Sequence, residues 1–162
     1  MFCPVKPTES DSRPGTYALV LRIAAACDAA VGRRYRLALQ PGWMLYTGSA
    51  LGPGGVRARL AHHGRPAAHP HWHIDYLRRH TVLEAVWFSY HPKRRECRWA
   101  MVLAEMGGLP PPFRFGASDC RCGSHLYAFQ RRPLLATFTA ALRAHEPDAA
   151  PVVEQPRTFQ AL

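Results

Sequence analysis

From Tyr17 to Ile23 the larger apolar residues fall at every second position, as Tyr17, Leu19, Leu21 and Ile23 do. That is the period of a β-strand, so the chain must build a sheet early. Tyr35–Leu39 is a second short strand candidate. Gln40-Pro41-Gly42 is a turn, and Trp43–Tyr46 reads as a strand paired back on its predecessor. The first third is therefore expected to be a small antiparallel sheet.

Glycine and proline punctuate the rest. Gly48–Gly55 is a glycine-rich loop, and Val56–His63 is a helix stopped by Gly64-Arg65-Pro66. Trp72–His80 is a further short helix, and Val82–Tyr90 a strand. Arg95–Met106 is an amphipathic helix with Cys97, Ala100, Met101 and Ala104 on one face. Ser124–Phe129 is a short strand. Pro133–His145 is a helix with proline at its start and an apolar stripe of Leu134, Leu135, Phe138, Ala141 and Leu142. The expectation is an α/β (α+β) fold with a small central antiparallel or mixed β-sheet flanked by helices. Residues 14–145 form one domain between flexible tails at 1–13 and 146–162.

Charge narrows the partners. The formal net charge is +10. Between residues 14 and 145 the acids are only Asp28, Asp75, Glu84, Glu96, Glu105 and Asp119, against 18 of the 21 lysines and arginines. A positive field carried by the folded part attracts polyphosphates. Arg33, Arg34, Arg36, Arg57, Arg65, Arg78, Arg79, Arg94, Arg95 and Arg98 supply much of it. Nucleic acid is the expected partner, with DNA favoured over RNA and a DNA-repair protein as a further partner. No membrane partner is expected. Ala18–Val31 is interrupted by Arg22 and Asp28 and is too short to span a bilayer. Residues 1–13 carry no apolar signal core. The five cysteines are odd in number, which fits a reducing cytoplasm with most thiols free.

Two glycine-flanked tyrosines fall on early strands, in Gly15-Thr16-Tyr17 and in Tyr46-Thr47-Gly48-Ser49, and Arg59 lies on the helix that follows. A phenol near a guanidinium suits phosphodiester chemistry, because one can position or deprotonate water while the other holds two phosphate oxygens. The plainer reading is two ordinary strand aromatics. In Trp72-His73-Ile74-Asp75-Tyr76-Leu77, Asp75 can orient His73 or His63, and such a pair beside a phosphate can move protons. Its plainer reading is a packed helix whose aspartate balances nearby arginines. Cys120-x-Cys122-x-x-His125 offers thiolate and imidazole ligands for zinc, with Cys97 or His73 to complete four. The competing reading is a structural Ser118-Asp119-Cys120 loop in which Asp119 braces the turn and small cysteines pack.

These segments, with Arg59-Leu60-Ala61-His62-His63, Glu96-Cys97 and the run from Phe115 to Leu126, resemble the DUF123 domain, a branch of the GIY-YIG nuclease family. The resemblance spans roughly residues 14–130. It implies a metal-dependent endonuclease acting on DNA in repair or on structured intermediates. It implies Tyr17 and Tyr46 as active-site phenols, with His63 beside them. It implies Gly48 for close packing, Arg59 for transition-state charge, and Glu96 as the ligand of one divalent cation, Mg2+ or Mn2+. Gly15, Ser49, His73, Asp75, Ser118 and Asp119 belong to the same motifs. Thr16 and Thr47 stand where the family name implies isoleucine. The chain has no asparagine, which many members carry near the site, and His125 or Ser118 is the available substitute. Two other functions remain open on these residues. One is a nucleic-acid-binding module on the same scaffold without cleavage. The other is an interaction domain stabilised by zinc.

Overall fold

The computed structural model describes residues 10–157. Its elements are β1 (Gly15–Ile23), β2 (Cys27–Val31), β3 (Tyr35–Leu39), β4 (Gly42–Ala50), α1 (Gly55–His63), α2 (His73–Leu77), β5 (Val82–Tyr90), α3 (Glu96–Glu105), β6 (Leu126–Phe129), α4 (Leu135–His145) and β7 (Val153–Pro156). A 3-10 turn, Arg78–His80, extends α2. Strands β6-β4-β1-β5-β7 form one antiparallel sheet, and β2-β3 a second, two-stranded one. The α/β expectation, with an antiparallel sheet flanked by helices, holds.

β1 lies at the centre of the large sheet and is buried on both faces. Its alternation therefore separates two apolar layers rather than core from water. Tyr17, Leu19, Leu21 and Ile23 face α1, α2 and the small sheet, packing with Val56, Ile74 and Leu77. Ala18 and Val20, with Leu45, Ala85 and Trp87, face α3 and α4 through Trp99, Leu103, Phe138 and Leu142. Small residues on that side of β1 leave room for the helices' large ones.

Three local expectations change. Trp43–Tyr46 lies in β4, which pairs with β1 and β6 and not with β3; β3 pairs with β2, a strand that the apolar pattern does not announce. The turn at Gln40-Pro41-Gly42 thus passes the chain from one sheet to the other, where β4 finds a longer partner. The buried face of α3 is Glu96, Trp99, Ala100, Val102 and Leu103, with Ala104 exposed. The bulkiest residues win the core because they remove most area from water. In α4, Phe138 and Leu142 are buried while Leu134 is 61% exposed ahead of the first turn.

The described parts of both expected tails are fastened. Helix α1 has no side-chain cap, and its backbone N–H groups at Val56 and Arg57 donate instead to the carbonyls of Arg13 and Asp11 at 3.0 and 2.9 Å. At the other end, Val153–Pro156 is β7, paired with β5. Residues 1–9 and 158–162 lie outside the described residues.

Candidate active site

The site begins with a register. Tyr17 on β1 stands opposite Gly48 on β4. With no Cβ at Gly48, the phenol lies across its backbone; a Cβ there would sit 2.5 Å from Tyr17 Cζ. That close approach carries the hydroxyl to 2.8 Å from Nε2 of His63, the last residue of α1. Tyr46, two residues before Gly48 and on the same face of β4, turns its ring edge-on to His63 and to Phe115. Gly116 gives Tyr46 the room that Gly48 gives Tyr17. Gly15 opens β1 where a Cβ would meet the Ser89 carbonyl and the Val56 side chain. Both phenols and His63 are buried, and they share one face of the sheet.

Burial sets the protonation states. It pushes both phenols up, Tyr17 well above the ordinary tyrosine value. It pushes His63 down to about 3, helped by the neighbouring His62. Tyr17 and His63 therefore meet as neutral groups sharing one proton. His63 Nδ1 is buried with no hydrogen-bond partner among the described residues.

Arg59 lies one turn before His63 on α1. Its guanidinium stacks on Trp72 at 4.4 Å from the ring centroid. Its charge is the largest influence lowering both phenols and also helps hold His63 neutral. No spacing along the chain pairs Trp72 with Arg59, and the fold alone gives the indole this role.

Asp75 orients neither His73 nor His63. Its Oδ1 is 2.8 Å from His62 Nε2, and its Oδ2 accepts the backbone N–H groups of His71 and Trp72 at 3.0 Å each. The carboxylate caps α2 and holds His62 in place of either expected histidine. Burial acts to raise its pKa, but the His71, Trp72 and His62 hydrogen bonds bring it below the ordinary value. His73 Nδ1 instead accepts the Gly116 backbone N–H at 3.0 Å, which ties α2 to the loop behind Tyr46. One ligand atom each from His62, His63 and Asp75 lie within 4.8 Å of one another.

Glu96 opens α3 from the other side of β4. Its Oε2 accepts the Ser49 hydroxyl, and its Oε1 pairs with Arg94 at 2.7 Å. Thr47 donates its hydroxyl to the Glu96 backbone carbonyl at 3.2 Å. Burial raises the Glu96 pKa, but the Ser49 and Arg94 contacts bring it below the ordinary value, so it is a buried anion. Its field reaches both phenols. The Thr47 hydroxyl is thus a bridge between β4 and α3 where an isoleucine has none.

A second cluster adjoins Glu96. Cys97, Cys120, Cys122 and His125 each offer one donor atom, all within 4.8 Å of one another. The Cys97 and Cys122 sulfurs meet, and their Cα atoms are 6.1 Å apart. Of the two residues expected to complete this set, it is Cys97 and not His73. Burial lowers the His125 pKa, and its Nε2 faces the sulfurs of Cys120 and Cys97 at 3.3 and 3.7 Å. Ser118 and Asp119 are exposed and outside both groups; Arg114, not Asp119, braces the turn by donating to the carbonyls of Ala117, Cys120 and Cys122.

Among the arginines that make the chain basic, Arg94, Arg95 and Arg98 pair with Glu96 or Glu146, and Arg78 is buried, donating to the carbonyls of His63 and Thr81. Arg33, Arg34, Arg36, Arg57 and Arg65 are exposed and without an acidic partner among the described residues. Among the same residues, no helix is long and apolar enough to cross a membrane.

The family described as "Domain of unknown function DUF123" matches residues 16–146. No curated protein and no solved structure matches the chain.

Proposed function

The chain belongs to the DUF123 family, and from that premise we propose that it is a metal-dependent endonuclease of GIY-YIG type that hydrolyses nucleic-acid phosphodiesters, with DNA the favoured substrate. The observation that carries this reading is the meeting of two buried phenols with a neutral histidine on one face of the sheet, in the field of an arginine and of an anionic carboxylate. The exposed arginines of the β2–β3 turn and of α1 and its end supply contacts to phosphates that read no sequence.

Arg59 suits phosphate oxygens, since its guanidinium is stacked on Trp72 and has no ion-pair partner among the described residues. The attacking water donates its proton to the Tyr17 oxygen as the Tyr17 hydroxyl passes its own proton to His63 Nε2. High phenol pKa values suit this role, in which the tyrosine relays a proton and never stands as a phenolate. His63 at about 3 is a weak base in the resting site. Part of that depression comes from Arg59. A phosphate on Arg59 cancels the charge and makes His63 more basic when substrate is bound. Tyr46, edge-on to the same imidazole, hydrogen-bonds the phosphate or the water from the other side.

Glu96 and Ser49 fit a hard divalent cation, because both offer oxygen and Glu96 is ionised, with exposed Arg94 as the group to be displaced. Mg2+ or Mn2+ held there would add positive charge to the site from across β4.

The test is cleavage of labelled single-stranded, duplex, flap and branched DNA, and of RNA, with Mg2+ or Mn2+. Wild type is compared with Glu96→Gln, which keeps the size of the side chain. Cleavage by wild type that falls about 100-fold or more in the variant is the expected result. Salt-sensitive binding with no cleavage by either protein would replace this reading with a non-catalytic nucleic-acid-binding module.

A further inference from the structure

The loop between α3 and β6 contains no helix or strand from residue 110 to residue 125. Irregular segments of that length in a small domain need something to hold them. Here Cys120, Cys122 and His125 from this loop converge on Cys97, in the first turn of α3. His125 Nε2 is 3.3 Å from Cys120 Sγ and 3.7 Å from Cys97 Sγ. Tetrahedral zinc, with bonds of about 2.3 Å to sulfur and 2.0–2.1 Å to nitrogen, sets sulfur and nitrogen about 3.6 Å apart.

We propose that Cys97, Cys120, Cys122 and His125 bind one structural zinc ion that fastens the 110–125 loop to the start of α3. Three thiolates and an imidazole are a donor set for zinc and leave no open position for chemistry. A Cys97–Cys122 disulfide accounts for two of the sulfurs, but it gives no reason for Cys120 and the His125 nitrogen to close on the same point. The surroundings suit a metal centre. The Cys122 backbone N–H donates to Cys120 Sγ at 3.4 Å, and Arg114 gathers the carbonyls of Ala117, Cys120 and Cys122. The His125 backbone is pinned on both sides, its N–H to Phe115 and its carbonyl by the Thr47 N–H.

Its position gives the ion a second consequence. Cys97 follows Glu96, and the loop carries Phe115 and Gly116 against Tyr46. The zinc therefore joins the helix end that holds the carboxylate to the loop that backs a phenol. That consequence rests on the hydrolytic reading. The presence of the ion does not, and it is measured without nucleic acid.

The full chain is purified under reducing conditions without chelator, then assayed for metal by mass spectrometry and for free thiols after denaturation. One zinc per chain, with Cys97 and Cys122 both titrating as thiols, is the expected result. Cys120→Ser and His125→Ala each lose the metal, and His69→Ala with His71→Ala keeps it. Should the first two variants fail to fold, wild type stripped and reloaded with Co2+ decides, through the thiolate charge-transfer and tetrahedral ligand-field bands of a sulfur-rich site. A Cys97–Cys122 disulfide without metal overturns the proposal. So does zinc that dialyses away, or Co2+ bands without thiolate character.

Discussion

Gly48→Ala tests the geometry on which the candidate site depends. The new methyl would sit 2.5 Å from Tyr17 Cζ and closer still to the hydroxyl. Carbon atoms in contact stand about 3.5–4.0 Å apart, so the phenol must retreat by about 1 Å or more. The Tyr17–His63 hydrogen bond, at 2.8 Å, has little slack, since such bonds end at about 3.2 Å. Overpacking costs about 1–3 kcal/mol. Stranding His63 Nε2 costs about another 1–3 kcal/mol, because Nδ1 already lacks a partner. The expected loss is thus about 2–6 kcal/mol, a large share of a stability of about 5–15 kcal/mol. Urea unfolding and thermal melts measure it, with Tm falling about 2–4 °C per kcal/mol in a chain of this size. Gly123→Ala is the control: nothing lies within 4 Å of its Cβ, and a change within about 0.5 kcal/mol is expected. If Gly48→Ala unfolds at the same urea concentration as Gly123→Ala, the close packing of Tyr17 on Gly48 does not hold the site.

Acid should weaken the fold through His63. Its pKa is 6.5 unperturbed and about 3 in the folded chain. The unfolded state therefore binds the proton that the folded state refuses, and stability falls as pH drops from 6.5 towards 3. At pH 4.5 the loss is about 3 kcal/mol, and His63→Gln should flatten that slope in urea unfolding measured from pH 7 to 4.5. Arg59→Ala should cut cleavage about 100-fold or more, with Arg59→Lys recovering only part because a point charge cannot hold two oxygens. Trp72→Ala removes the ring under Arg59, a stacking interaction of about 0.5–1 kcal/mol, and should lower cleavage about two- to fivefold while leaving the melting curve near wild type. Replacing Arg33, Arg34 and Arg36 with alanine should reduce the salt dependence of DNA binding, by about 0.9 in the log–log slope for each phosphate that is no longer neutralised.

Much of the architecture is legible in the sequence because it is written in neighbouring residues. The two-residue period of Tyr17–Ile23, the apolar stretch Val82–Tyr90 and the glycine and proline stops around Val56–His63 all report local geometry. They place the strands and helices to within a few residues. The Tyr46-Thr47-Gly48-Ser49 segment is equally local. On a strand it puts Tyr46 and Gly48 on one face, with Thr47 and Ser49 on the other, and α3 meets that second face through Glu96. What the periodicity leaves open is which element each face will meet. β4 pairs with β1 and β6, not with its chain neighbour β3. The partner of Asp75 is His62, and Arg59 rests on Trp72. Cys97 completes the cluster with Cys122, 25 residues further on. Each of these is a choice among chemically similar candidates, and spacing along the chain cannot rank them. Strand register, the crossing of α1 over the sheet and the volume under Gly48 and Gly116 decide it, because they set distances between groups that no local period relates.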